Sequence, residues 1–162
     1  MSALFRVQRL LVLPILLAAA LVVTTWISAP HADAASKREK KITVATKIAK
    51  KQKGDPYVYG AEGPNAFDCS GLTYYAYKKV GIRLARSSDA QYRQLRGIRK
   101  ENIRKGDLMF FHSGGSVYHV GIFVDWDNGR RVILHAPNSG ENVHRERVWT
   151  GSWWAATLRK KH

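Results

Sequence analysis

Cysteine occurs once in these 162 residues, at position 69. A single cysteine excludes an intramolecular disulfide framework and any cysteine-rich zinc site. Acidic residues are also scarce, 12 against 27 lysines and arginines, for a formal net charge of +15. Such a chain seeks polyanions. Nothing in it has the pattern of a helix-turn-helix, a zinc finger or an RNA-binding module, so nucleic acid is not the expected partner. No cysteine follows the one long apolar run, which argues against a lipoprotein anchor. No internal repeat is visible in the pattern. The four histidines at 112, 119, 135 and 144 lack a recognised ligand spacing, so neither a metal nor another cofactor is expected.

The apolar run itself is at the start. Arg6 and Arg9 precede Leu10–Val23, and Ala29-Pro30-His31-Ala32-Asp33-Ala34-Ala35 follows. A positive n-region, an apolar h-region and a small-residue site form an export signal, with cleavage expected after Ala34. The alternative is an uncleaved anchor over Leu10–Ile27. In both cases the rest of the chain lies outside the cytoplasm. The expected division is a signal peptide at 1–34, a basic lead segment at 35–54 and a catalytic domain at 55–162, acting as a monomer. An unpaired thiol in an exported protein calls for an explanation, and catalysis is one.

Residues Lys37 to Lys53 carry eight basic side chains against Glu39 alone. Ile42, Ala45, Ile48, Ala49 and Gln52 form a narrow helix stripe, and Gly54 can end the helix. The basic groups are either a solvated face or a foothold on an anionic polymer. Asp55 to Pro64 reads as a loop with a short extended piece.

Asp68 is a good N-cap, which makes Cys69 the first residue of a helix closing near Gly81. Leu72, Tyr75, Ala76 and Val80 fall on one face. A thiol at a helix N-terminus is biased toward thiolate, the nucleophilic form. The competing reading is an inert buried cysteine. Ser88-Asp89-Ala90-Gln91 has the spacing of a capping box and opens a short helix. After Gly106-Asp107 the pattern changes to strands: Leu108–Phe111, Val117–Asp125, Arg131–Ala136, then segments around 142–148 and 153–158. Helices followed by an antiparallel sheet make an α+β fold in one domain.

A thiol nucleophile needs a base, and the base needs an orienting partner. Cys69, His119 and His135 can fill those roles if both histidines share a sheet face. Two hairpins are open. A five-residue loop over Asp125–Gly129 pairs His119 with His135. A two-residue Asn128-Gly129 turn shifts the parity and separates them. His112 and His144 have no partner in view. The tryptophans at 126, 149, 153 and 154 are read mainly as packing, with stacking on sugar rings as the alternative.

Residues from about Ile42 to Leu158 resemble the NlpC/P60 family of bacterial cell-wall cysteine peptidases. Six pieces in family order carry the resemblance: Pro56–Gly60, Phe67–Leu72, Arg86–Gln91, Gly106–Phe111, His119–Ile122 and Leu134–Ala136. The resemblance implies a papain-like α+β fold with the nucleophile at a helix N-terminus. It implies Cys69 as nucleophile, His119 as base and His135 as the third polar residue. It further implies that Tyr57 helps an oxyanion hole and that Asp68, Ser70, Arg86 and Ser87 line the substrate groove. Its implied substrate is the stem peptide of peptidoglycan, cut between D-γ-glutamate and the following diamino acid; the alternatives are an N-acetylmuramoyl-L-alanine amidase or cross-bridge peptidase on the same fold, or a non-catalytic cationic wall-binding protein. Two positions depart from the family pattern. Ala61 stands where a second glycine is usual, and Lys105 where proline usually precedes Gly-Asp.

Overall fold

The computed structural model describes residues 29–159, and residues from 35 onward form one compact unit. The signal-peptide expectation therefore falls mostly outside the described residues. Among the described residues, three helices pack on a six-stranded antiparallel sheet whose strands lie side by side in the order 96–98, 153–157, 108–113, 116–127, 130–135 and 144–147.

Helix α1 (Ala29–Lys51) buries Ile42, Ala45 and Ala49 completely, while Lys40, Lys41, Lys47, Lys50 and Lys51 face solvent. The stripe is narrow because only this face meets the sheet layer. The helix is tied to the end of the chain: Arg38 Nε donates to the Leu158 carbonyl at 2.8 Å, and Glu39 takes both Nε and Nη2 of Arg159 at 2.6 Å each.

Helix α2 (Cys69–Lys78) starts where expected, with Asp68 in an extended conformation as its cap. Its buried face is Leu72, Thr73, Ala76 and Tyr77; Tyr75 and Val80 are only half-buried. Tyr77 is accommodated because its hydroxyl donates to the Gly106 carbonyl at 2.5 Å. Burial of such side chains contributes roughly 1.5–3 kcal/mol each.

Helix α3 (Ser88–Gln94) is capped one residue earlier than its sequence spacing predicts, by Ser87, whose hydroxyl accepts from Ala90 N–H. Gln91 does not close a capping box. It is fully buried, donates to the Ser70 and Ala85 carbonyls, and its amide oxygen meets the Thr73 hydroxyl. Gln91 thus fastens α3 to the first turn of α2.

The strands are β1 (Arg96–Ile98), β2 (Leu108–Ser113), β3 (Ser116–Asp127), β4 (Arg130–His135), β5 (His144–Arg147) and β6 (Trp153–Thr157). Strand β1 is short and largely exposed, and exists only through its pairing with β6. Leu108, Phe110, Val120, Ile122 and Leu134 pack in the cluster shared with the helices. Their neighbours Met109, Phe111, Phe123 and Ile133 form a second cluster with Trp153. This is the period-two alternation of a sheet covered on both faces.

The β3–β4 connection is the two-residue turn. Asp127 pairs with Arg130, and Asn128 and Gly129 both have positive φ, at 48° and 75°. That turn alone would separate His119 from His135. A bulge restores the parity: Phe123 pairs with Ile133, but the next pair is Asp125 with Val132, leaving Val124 as an extra residue. The turn and the bulge together place both histidines on one face.

Candidate active site

The site is assembled where α2 begins, beside β3. Asp68 organises this corner. Its Oδ1 accepts from Gly71 N–H at 2.6 Å, from the Ser70 hydroxyl at 3.1 Å and from Arg86 Nη1 at 3.0 Å. Its Oδ2 accepts from Gly60 N–H at 3.0 Å and from Arg86 Nη2 at 2.6 Å. The H-bonds from Arg86 and from Gly71 hold its carboxyl below the usual range, against the opposing effect of burial. One carboxylate therefore caps the helix, anchors Arg86 and fixes the Tyr57 loop. The loop lies so close that a Cβ at position 71 would collide with the Ala61 carbonyl oxygen, so only glycine fits there. Asp68 and Ser70 are buried, Arg86 is half-buried, and Ser87 is the exposed cap of α3. The contacts seen at these four residues are internal braces.

Tyr57 is half-buried on that loop. Its N–H donates to the Glu141 carbonyl at 2.9 Å. Burial pushes its phenol up from 10.0, and a charge on Cys69 would push it further, so the hydroxyl is electrostatically coupled to the sulfur.

Cys69 is half-buried at the first position of α2. Burial pushes the thiol up from its ordinary value. The Val120 N–H, facing the sulfur, pulls the other way, and the Asp68 charge adds to the rise. Burial thus outweighs the helix-terminus effect that the sequence alone points to. At rest the sulfur is therefore a thiol. Val120 follows His119 directly, so the strand that touches the sulfur also carries the imidazole.

His119 Nε2 lies 2.9 Å from His135 Nδ1, one ring donating and the other accepting. That leaves Nδ1 as the His119 ring nitrogen not engaged by His135. Both rings are buried, at 7% and 1% exposure. Burial lowers His119 to about 4 and His135 to about 3; for His135, neighbouring His119 and His144 add to the effect. Both are neutral at physiological pH. Gly121 lies beside the pair: a Cβ there would come within 2.9 Å of Ile133 Cδ1 and 3.4 Å of His135 Cβ. Trp149, stacked on Phe111 with ring centroids 4.5 Å apart, also borders both imidazoles.

Two neighbours escaped the sequence reading. His144 was left without a partner, yet it pairs directly with His135 across β4 and β5, ring centroids 5.0 Å apart. Glu146 Oε2 stands 3.1 Å from His135 Nε2. The available signal was His144-x-Glu146, whose alternation puts both residues on one strand face. Without the β4–β5 register it points to nothing. His112 belongs to β2 rather than a loop, and its ring stacks on Trp154 at 3.9 Å.

A thiol, a buried neutral imidazole and a second imidazole hydrogen-bonded to it are the kinds of group that a nucleophile, a base and an orienter require. The model of the NlpC/P60 family matches residues 54–161. The probable endopeptidase p60 of Listeria monocytogenes is 39% identical over 113 residues, covering 68% of this chain and 21% of the relative. The murein DD-endopeptidase MepH of Escherichia coli is 37% identical over 113 residues, covering 64% and 40%. The chain therefore spans well under half the length of these relatives. Among solved structures, the NlpC/p60 domain of the peptidoglycan hydrolase SagA has 32% identity and a TM-score of 0.64, over 72% of this chain and 98% of that one. The peptidoglycan hydrolase RipB of Mycobacterium tuberculosis has 25% identity and a TM-score of 0.66, over 78% and 68%. With its helices on an antiparallel sheet and this family signature over two thirds of its length, the chain belongs to the NlpC/P60 family and has its papain-like α+β fold.

Proposed function

We infer that this protein is an exported cysteine endopeptidase that hydrolyses peptidoglycan stem peptides. The observation that carries the reading is the 2.9 Å His119–His135 contact on the strand whose Val120 N–H faces the Cys69 sulfur. Support also comes from the relatives, whose names give endopeptidase and peptidoglycan hydrolase activities. The proposed bond is the amide between D-γ-glutamate and the diamino acid.

In this mechanism the Cys69 sulfur attacks the amide carbon while His119 Nδ1 takes the thiol proton. The resulting oxyanion faces the Cys69 N–H and the Tyr57 hydroxyl. An N–H at the first helical position has no intrahelical partner and is free for this use. Collapse expels the amine, which takes the proton from His119, and leaves a thioester. Water then attacks the thioester, again giving its proton to His119, and releases the γ-carboxylate and the thiol. His135 orients His119 throughout. Asp68, Ser70, Arg86 and Ser87 shape the groove beside the nucleophile. The lysines of α1 hold the enzyme to anionic wall polymers, outside the cytoplasm, and it acts as a monomer.

The name of MepH favours a second bond, a DD cross-link. Mass spectrometry of fragments released from purified peptidoglycan separates the two. Fragments ending in D-glutamate, absent with Cys69→Ala, support the first reading. Opened cross-links with intact stems replace it with the second. No Cys69-dependent fragments from any wall type would refute both.

A further inference from the structure

We propose that His135 Nε2, His144 Nε2 and Glu146 Oε2 form a Zn²⁺ site, and that filling it switches the peptidase off. The switching half rests on the function proposed above; the binding half does not.

The three ligand atoms lie within 4.8 Å of one another. Glu146 Oε2 is 3.1 Å from His135 Nε2 and 3.8 Å from His144 Nε2. A tetrahedral zinc with bonds of about 2.0–2.2 Å wants ligand atoms about 3.3–3.5 Å apart. Small side-chain adjustments reach that, and water supplies the fourth ligand.

Two further observations point to a ligand. His135 Nε2 is buried and has no hydrogen-bond partner, because Glu146 is near but off its line. A buried polar atom left unpaired is costly and calls for a missing partner. His144 Nδ1 is 2.8 Å from the Asn142 carbonyl, to which it can only donate. That fixes the proton on Nδ1 and turns the Nε2 lone pair toward the cluster, which is how outer contacts prepare a metal-binding imidazole.

The sheet explains why these residues meet. His135 and His144 are a direct cross-strand pair, and Glu146 is two residues further along the same face. The alternate residues Arg145 and Arg147 point to the other side and pair with Asp125 and Asp127. Glu146 and His144 are 43% and 34% exposed, so an ion can enter from solvent.

Zinc on His135 Nε2 requires a lone pair there, so the His135 proton moves to Nδ1 and is donated to His119 Nε2. The single proton of neutral His119 must then sit on Nδ1. In the mechanism proposed above that nitrogen takes the thiol proton, and in this tautomer it cannot. Metal binding therefore removes the base without touching Cys69.

The test is zinc titration of the Cys69→Ala protein against a chromophoric chelator, so that the thiol cannot bind the metal. One zinc per chain is expected, and His144→Ala in that background should weaken binding at least ~10-fold. In a wall-lysis assay, zinc should inhibit the parent and a chelator should restore it. His144→Ala should keep the metal-free rate and need at least ~10-fold more zinc for inhibition, with its circular dichroism unchanged. No zinc on Cys69→Ala, or equal binding after His144→Ala, overturns the site. Inhibition of parent and His144→Ala at equal zinc assigns the effect to the thiol and overturns the switch. A parent inactive without zinc sinks the proposed function and removes the switch, while the titration still decides the site.

Discussion

Asp68→Asn tests how the nucleophile corner is held. The substitution keeps one oxygen, and Oδ1 is its best place, since Gly71 N–H, the Ser70 hydroxyl and Arg86 Nη1 all donate there. The new NH₂ then replaces Oδ2, where Gly60 N–H and Arg86 Nη2 both donate. Two hydrogen bonds become donor–donor contacts, and the ion pair is lost. Charge-assisted hydrogen bonds contribute about 1.5–3 kcal/mol each. Arg86 is 36% exposed and keeps Glu62 at 3.3 Å, so its share is discounted. The expected loss is about 2–3 kcal/mol, a fall of roughly 1–2 M in the urea midpoint. Asp68→Ala also loses the helix cap and should cost about 1 kcal/mol more. The Asp68 charge raises the neighbouring thiol, so Asp68→Asn should move the Cys69 pKa down while the fold weakens. Thiol titration by absorbance at 240 nm (roughly where thiolate absorbs) reads this second effect. An Asp68→Asn protein as stable as the parent, with an unmoved thiol, would refute the bracing role.

Alkylation of Cys69 should be slow at pH 7 and climb with pH, because burial raises the thiol above its ordinary value and keeps it protonated at neutrality. A rate flat from pH 5 to 8 (roughly the range over which a preformed ion pair persists) would contradict this. The fold should lose stability on acidification: His119 falls from 6.5 to about 4 on folding, so below pH 6.5 the unfolded chain binds the proton first. Stability should be full above that point, and the His119 share of about 3 kcal/mol should be lost as pH falls through about 4, measured by urea unfolding across the window; His119→Gln should remove that share and leave the loss due to His135, which falls to about 3. Gly71→Ala should cost more than about 2 kcal/mol and lower catalytic rate, because the Ala61 carbonyl must retreat and take the Tyr57 loop with it. Arg159→Ala should destabilise by about 3–5 kcal/mol, since it leaves the fully buried Asp107 carboxylate without the Nη1 contact at 2.5 Å; thermal unfolding within a degree or two of the parent would count against it.

What the sequence made legible is local. The cap at Asp68, the helix that follows it and the five main strands all rest on signals within a few residues of one another, and the structure has them. The cap of α3 shows the limit. Ser88 and Ser87 are equally good caps in isolation, and Gln91 decides between them by turning inward to Ser70 and Ala85, a contact no local spacing encodes. The histidine pair goes further. Asn128-Gly129 correctly signals a two-residue turn, and from that turn alone His119 and His135 should diverge. They meet because Val124 bulges, and Val124 looks like any other buried strand residue.

His144 and Glu146 were invisible for the same reason one strand further on. Their meaning depends on the register that β5 takes after the connection 136–143, and that register is itself held by the pairing of Asn142 with Pro56 and the Gly54 N–H on the Val143 carbonyl. The loop that carries Tyr57 therefore also sets where β5 lies. A change in that loop should reach His135 through β5 as well as Cys69 through α2. The Ala61 departure from the family pattern sits on this loop, against Gly71, so its effects should be sought at both Cys69 and His135.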